Sequence, residues 1–152
     1  MAVSPRTLLL SVLLLAPATV WAGPCRPRID RGWLRSPPAG MAMPMAAGFV
    51  RISNPCPAPA VLVSVRSPAF AEVSLHRSET VGGVSRMRAV AQLPIAAGAT
   101  VEFAPGGLHL MLMRPTAALA PGEPVPVSFT FADGRTVETT LTVRPAAAID
   151  GR

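Results

Sequence analysis

Hydrophobic and polar residues alternate along most of this chain, in short runs that end at proline or glycine. Within residues 71–78, Val73 and Leu75 fall on one side of an extended chain. Ser74 and His76 fall on the other side, which is the pattern of a strand with one face against a core. Similar runs cover residues 28–35, 47–53, 60–67, 84–90, 100–104, 108–113, 127–131 and 136–143. Helical spacing never extends beyond about two turns after the N-terminal segment, so the pattern predicts one all-β domain, a Greek-key sandwich or barrel.

Glycines and prolines predict where the strands reverse direction. Asp133-Gly134, between two alternating runs, is the strongest hairpin signal in the chain, and Gly82-Gly83 allows a second tight turn. Residues 93–98, which contain Pro94, and residues 115–126, which contain four prolines, are interpreted as connections between strands. The ordered core is expected over about residues 28–144.

The N-terminal residues have the pattern of an export signal. Arg6 precedes an apolar run over residues 8–20, and Ala22 ends a segment that resembles a cleavage site. The run is too short and wrongly flanked for a membrane span. Residues 1–22 are therefore predicted to be a signal peptide and residues 23–152 a soluble periplasmic domain. A lipoprotein signal at Cys25 is disfavoured, because Pro24 stands where that signal needs a small residue.

The basic charge comes from arginine alone. The chain contains 14 basic residues, none of them lysine, and its formal net charge is +6. The arginines are scattered singly along the predicted strands, with neither runs nor interleaved aromatic residues, so nucleic-acid binding has little support. A basic face that steers the protein toward an acidic partner remains open.

The two cysteines, Cys25 and Cys56, have a spacing that matches no metal-binding motif. In an oxidising compartment the simple expectation is a disulfide between them. Closing that loop would stabilise the fold by about 3 to 4 kcal/mol in the chain-entropy model.

Residues 105–113 carry the most informative chemistry. Leu110 and its leucine neighbours point to one side of a strand, and His109, Met111 and Met113 point to the other. The chain has only two histidines, and the second, His76, also lies opposite an aliphatic row. Ordinary packing of a strand buried on both faces is the alternative interpretation for each of these residues.

Two imidazoles and two thioethers, from His76, His109, Met87 and Met111, would form a neutral and soft set of ligands. Such a set suits Cu(I) better than Zn(II), Mg(II) or Ca(II). A blue-copper centre is disfavoured because it needs a thiolate beside its histidines. Met113 is interpreted as packing beside the site. The segment with Met41, Met43 and Met45 is either an accessory copper-catching loop or an apolar connector.

The ligand spacing resembles the signature of the PCu(A)C periplasmic copper chaperones. Ten residues separate His76 from Met87, twenty-one separate Met87 from His109, and Met111 follows at the second position. Framework segments that also resemble this family are residues 31–38, 52–55, 73–76, 94–98 and 105–107, and the resemblance spans about residues 29–143.

This resemblance implies a cupredoxin-like Greek-key β-sandwich that binds one Cu(I) per chain through His76, Met87, His109 and Met111. It further implies delivery toward the copper A site of cytochrome c oxidase, with oxidase subunit II or a Sco-type protein as partner. The chain lacks the His- and Met-rich C-terminal extension of some members, so a Cu(II) site there is not expected. The two cysteines are not part of the family pattern.

Other functional classes remain as alternatives. No Ser-His-Asp or Cys-His arrangement is present, so the chain is predicted not to be an enzyme. A periplasmic copper storage or resistance protein would use the same ligands. A structural β-sandwich, in which the histidines and methionines only pack, would bind no Cu(I).

Overall fold

The computed structural model describes residues 25–36 and 44–145, and these residues form strands joined by turns and loops. The predicted signal peptide, residues 1–22, lies outside the described residues, as do Met41 and Met43. No helix with the length and apolar character needed to cross a membrane occurs in the described part of the chain. The strands are β1 (Arg28–Arg35), β2 (Met45–Ser53), β3 (Ala60–Arg66), β4 (Phe70–Val81), β5 (Val84–Ala89), β6 (Leu93–Ile95), β7 (Thr100–Glu102), β8 (Leu108–Pro115), β9 (Pro124–Phe131) and β10 (Thr136–Arg144).

The strands form one continuous hydrogen-bonded path in the order β5-β4-β8-β2-β1-β10-β9-β3-β6, with β7 paired to β2. Among the pairs formed by described residues, β1 with β10 is parallel and the others are antiparallel. Strand β8 lies between β4 and β2, so residues distant in sequence become neighbours in the sheet. The all-β prediction and the single-domain, Greek-key sandwich class are confirmed.

One hydrophobic core joins the two ends of this strand path. Leu110 and Leu112 of β8 are fully buried, as are Phe129 of β9 and Leu141 of β10. They belong to a single cluster that also includes Leu75 of β4 and Leu62 of β3. The predicted inward side of β8 is therefore confirmed, and His109 and Met111 take the opposite face because side chains alternate along a strand.

Two glycines allow β1 and β2 to approach the core closely. A Cβ placed on Gly32 would lie 2.2 Å from Cδ2 of Leu141, and a Cβ on Gly48 would lie 3.0 Å from Cβ of Leu110. Any larger residue at Gly32 would require the neighbouring side chain or strand to move. Gly48 allows β2 to pack closely against β8, the strand that carries half of the predicted ligands.

Both predicted hairpins are confirmed. Thr130 pairs with Thr136 across the turn that contains Gly134, where φ is 83°. In the β4–β5 hairpin, Val81 pairs with Val84 while φ is 58° at Gly82 and 78° at Gly83. Positive φ at both central positions is the geometry that suits the twist of a two-residue hairpin, and glycine adopts it at low steric cost.

The interpretation of residues 93–98 and 115–126 as connections between strands is wrong in three places. Pro115 ends β8 and pairs with Phe70. Leu93–Ile95 forms β6, which ends the strand path and pairs only with β3 among the described strands, so Pro94 needs no second partner. Pro124 and Pro126 lie in β9 and pair with β10, while the β3 ladder on the other side of β9 begins only at Ser128. Proline is tolerated where one side of a strand is open.

The predicted disulfide is present. Cys25 and Cys56 are bonded, with their Cα atoms 5.5 Å apart. The bridge ties the segment before β1 to the turn between β2 and β3. In the same turn, the buried Asn54 amide donates to the carbonyls of Ala58 and Ile95 at 2.9 and 3.2 Å, and its oxygen accepts from the Cys56 backbone N–H at 3.3 Å.

Candidate metal centre

The two histidines face each other across neighbouring strands. His76 of β4 pairs directly with His109 of β8, and the ring centroids are 6.0 Å apart with an interplanar angle of 26°. Directly paired residues of an antiparallel ladder have their side chains on the same face. Both imidazoles therefore lie on the outer face of the sheet, away from the leucine core.

The two methionines of the predicted set share that face. Met111 of β8 pairs with Ser74, and Met87 of β5 pairs with Ser78. Ser74, His76 and Ser78 alternate along β4, so their side chains point the same way. The four sequence-predicted ligands thus lie on one face of three adjacent strands, with one methionine on each side of the histidine pair along the strand direction.

The four side chains differ in how far they are buried. His109 is only 8 % exposed, whereas Met87 is 55 % exposed and lies in β5, where every residue is exposed. Each methionine is offset from the histidine pair by two residues of β4, which is roughly 6.6 Å along a strand. His76, His109 and Met111 form the well-packed part of the set, and Met87 stands at its solvent-exposed edge.

One hydrogen bond of His109 leaves its other ring nitrogen available to bind a metal. The Nδ1 atom of His109 lies 3.0 Å from the carbonyl oxygen of Gly107. A carbonyl oxygen can only accept, so Nδ1 carries the proton and Nε2 keeps its lone pair. A hydrogen bond from the ring nitrogen that does not bind the metal fixes the orientation of a metal-ligating histidine. The Nε2 atom of His76 lies 3.0 Å from the Ser74 hydroxyl, a group that can donate or accept.

The surroundings favour neutral imidazole at His76. Partial burial lowers the pKa of His76 below 6.5, and the neighbouring His109 lowers it further, while Glu72 acts in the opposite direction. Burial penalises the charged form of the ring, and a second imidazolium would repel it. A neutral ring is the form that coordinates a metal.

The donor chemistry fits a soft ion. Within residues 25–36 and 44–145, no three His, Cys, Asp or Glu side chains form a group that could hold a metal ion. Glu72, a carboxylate on the same face of β4 as His76, pairs with Met113 in the ladder and forms an ion pair with Arg114 at 3.4 Å. Imidazole and thioether donors without a carboxylate or thiolate match the preference of Cu(I).

Met45 and Met113 extend the row of thioethers. The sequence predicts either an accessory copper-catching loop or an apolar connector for the segment with Met41, Met43 and Met45, but Met45 begins β2 and pairs with Met113 of β8. A small cavity of about 30 Å³ lies between them, lined also by Pro44 and Arg114. Met113 is two residues beyond Met111 on the same face, which agrees with packing beside the predicted ligands.

Comparison with known proteins places these residues in a family. A family model described as "Putative lipoprotein LpqE-like" matches residues 28–143. The curated "Putative lipoprotein Lxx21020" of Leifsonia xyli subsp. xyli is 31 % identical over 118 residues, which cover 77 % of this chain and 69 % of that protein.

Solved structures show the same fold. The copper-bound PCuAC domain from PmoF2 is 21 % identical, with a TM-score of 0.63, and the match covers 78 % of this chain and 92 % of that domain. The solution structure of CuI-DR1885 from Deinococcus radiodurans is 27 % identical, with a TM-score of 0.61 and 82 % of each chain covered. Its apo form is 24 % identical, with a TM-score of 0.62 and 99 % of each chain covered. The resemblance to the PCu(A)C proteins is confirmed.

Proposed function

This chain belongs to the LpqE-like family of putative lipoproteins, and we propose that it is a metallochaperone that carries one Cu(I) on His76, Met87, His109 and Met111. The observation that carries the proposal is the directly paired His76 and His109, with a thioether on each side of them on one sheet face. The Cu(I) form of DR1885, a similar protein at 27 % identity, supports the choice of metal.

The ligand set explains how the ion would be held and released. All four donors are neutral, so the single positive charge of Cu(I) enters and leaves without protonation of a thiolate. Both cysteines are bridged and offer no competing thiolate. Soft thioethers favour Cu(I) over Cu(II), which keeps the cargo in one oxidation state during transfer.

Met87 is the proposed entry and exit ligand. Its strand is exposed along its length and is joined to β4 through Gly82-Gly83. Bending of this hairpin would bring the thioether over the imidazoles and complete the coordination. An acceptor would then replace Met87 first and the better-packed ligands afterwards, by stepwise ligand exchange at a docked interface.

The proposed recipient is the copper A site of cytochrome c oxidase, reached directly on subunit II or through a Sco-type protein. Support comes from the predicted export signal and from the PCuAC fold. The Cys25 sulfur is bonded to that of Cys56 in the disulfide, so it does not carry a thioether-linked lipid in this form of the protein. A strain that lacks the protein should lose oxidase activity at low copper and regain it when copper is added.

Copper storage is the second candidate, because it needs the same ligands. A storage protein would leave oxidase activity unchanged on deletion and would lower the tolerance of the strain to high copper. Measuring both properties in one deletion strain separates delivery from storage.

An anaerobic titration against a colorimetric Cu(I) chelator tests the binding itself. The native chain should withdraw one Cu(I) per molecule from the chelator. Met111→Ala should withdraw less at equal concentration, while Met45→Ala, a thioether on the same face but outside the set, should match the native chain. If the native chain leaves all the copper with the chelator, the proposal fails and the structural β-sandwich remains.

A further inference from the structure

An aromatic and arginine-rich cluster, formed by Trp33, Phe49, Arg35 and Arg144, lies on the outer face of β1, β2 and β10. The rings of Trp33 and Phe49 have centroids 4.5 Å apart at an angle of 35°. The Arg35 guanidinium lies 5.4 Å from the Phe49 centroid, and that of Arg144 lies 5.0 Å from the Trp33 centroid. The aromatic pair is thus bordered by two cations, at distances typical of cation–π contacts.

The register of the sheet joins this cluster to the candidate metal centre. Arg144 pairs with Arg35, Arg35 with Ala47, and Ala47 with Met111. These residues form one row across four neighbouring strands, on the same face. Arg35 is two strands from Met111, roughly 10 Å, and only the methyl group of Ala47 stands between them in the row. A protein that docks on the metal centre would also contact this cluster.

Within the described part of the chain, the two cations of the cluster have no carboxylate partner. Nearby Arg31 forms an ion pair with Glu102 at 3.5 Å, and Arg51 lies 3.7 Å from Asp30. Among the described residues, no carboxylate lies within 4.0 Å of the Arg35 or Arg144 side-chain nitrogens. In addition, the described residues offer no hydrogen-bond acceptor to the buried Nε of Arg35, nor to that of Arg51. Such an N–H is unfavourable unless an acceptor is supplied.

A cleft beside the cluster gives it the shape of a binding surface. Its volume is about 240 Å³, and its walls include Trp33, Phe49 and the arginines Arg31, Arg51 and Arg144. Glu102 also lines it and is paired with Arg31 and Arg51 at 3.5 and 3.9 Å, so the cleft carries more positive than negative charge. Tryptophan and arginine are the residues most enriched among the dominant contacts of protein interfaces. Arginine also binds carboxylates through two parallel hydrogen bonds, which fixes orientation as well as charge.

We infer that the cluster is the docking site for an acidic segment of the protein that accepts copper. Carboxylates of that segment pair with Arg35 and Arg144, and its apolar side chains pack on the half-buried Trp33, which the buried ring of Phe49 supports from below. The acceptor is thereby held with its own metal ligands over the adjoining centre. This inference rests on the proposed function, since it assigns a partner surface to the same face. Charge complementarity and continuity with the metal centre favour a protein acceptor over other anionic surfaces.

A pair of synthetic Cu(I) acceptor peptides tests the inference. Both contain the same histidine and methionine ligands, one flanked by glutamates and the other by glutamines. Transfer from the Cu(I)-loaded protein is followed anaerobically at low ionic strength. The glutamate peptide should accept copper faster, by about 10-fold or more as in other electrostatically steered associations, and high salt should remove the difference.

Matched double variants assign the effect to the cluster. R35Q/R144Q should lose the preference for the glutamate peptide while still binding one Cu(I) with native affinity. R26Q/R66Q removes the same charge from two other exposed arginines and should keep the preference. Thermal unfolding of both variants checks that the fold is retained.

Three results would overturn the inference. One is equal transfer to the two peptides, and another is equal loss of preference in both double variants. The third is binding to phosphatidylglycerol vesicles that depends on Arg35 and Arg144 with no discrimination between the peptides, which would assign the cluster to a membrane surface. If the native chain binds no Cu(I) at all, the proposed function fails instead, so the two failures are distinct.

Discussion

Strand β8 and the β4–β5 hairpin each supply two ligands of the proposed copper site. They differ in how much of each is packed against the rest of the fold. β8 lies between two strands, and its leucines are buried in the core. β5 ends the strand path, and all of its residues are exposed. A carrier needs both properties, because a fixed imidazole keeps the ion in place and a mobile thioether lets it leave. The comparison predicts that mutations in the two regions affect different observables.

The largest effect is expected for His109→Ala. This change removes a proposed ligand and also empties a buried position whose Nδ1–H bonds to the Gly107 carbonyl. Cu(I) affinity should fall by more than the roughly 10- to 100-fold that changes around a metal ligand cost. The free energy of unfolding should also fall, by about 1 to 3 kcal/mol. Chelator competition and urea unfolding measure the two quantities, and native affinity in this variant would exclude His109 as a ligand.

Gly48→Ala tests how tightly the core packs behind β8, and it changes none of the proposed ligands. The added Cβ would meet Leu110 Cβ and Leu112 Cδ1 at 3.0 Å each. Forced repacking of this kind typically costs about 1 to 3 kcal/mol, so the unfolding midpoint in urea should drop.

Gly107→Ala is the matched control for Gly48→Ala. There the nearest heavy atom to the new Cβ is a carbonyl oxygen at 3.5 Å, an ordinary contact distance. Gly48→Ala should therefore be less stable than Gly107→Ala. Equal stability would mean that the packing behind β8 is looser than its contacts indicate.

The sequence predicted the local parts of this arrangement well. Alternation alone assigned Leu110 to the core and His109 to the opposite face, and Asp133-Gly134 identified its hairpin, because both signals act over a few residues. The short strand β6 with Pro94 was missed, and β9 was predicted to begin only at residue 127, after Pro126, since the proline rule does not tell which side of a strand is open.

The non-local parts required the structure. The pairing of His76 with His109 depends on β8 crossing back to lie beside β4, and no local pattern encodes that crossing. The parallel pairing of β1 with β10 is similar, because it brings Arg35 beside Arg144 from the opposite end of the domain. The arginines are therefore scattered along the chain, as the sequence showed, and partly gathered in space.

Met87→Ala should affect copper and leave the fold unchanged. Met87 is 55 % exposed, so little buried surface is lost, and surface changes of this type usually stay within about 0.5 kcal/mol. We expect Cu(I) affinity to fall by about 10-fold, equivalent to about 1.4 kcal/mol, and dissociation to become faster.

Val84→Ala provides the matched control on the same strand. Val84 is 57 % exposed and carries no donor atom, so its truncation should leave the affinity at the native value. A fall in affinity equal to that of Met87→Ala would show that the hairpin acts through its conformation and not through the thioether.

The smallest effect is expected for the pH dependence of stability in the metal-free protein. It concerns His76, at the place where β4 of the hairpin pairs with β8. Burial and the neighbouring His109 lower the pKa of His76 below 6.5 in the folded state. Well above pH 6.5 the His76 ring is neutral in both the folded and the unfolded chain and adds no pH dependence. As the pH falls below 6.5, the unfolded chain binds the proton first, so stability must decrease until the folded ring also protonates. Urea unfolding between about pH 5 and pH 8 should show this decrease in the native chain and a smaller one in His76→Gln. An equal decrease in both proteins would mean that groups other than His76 cause it.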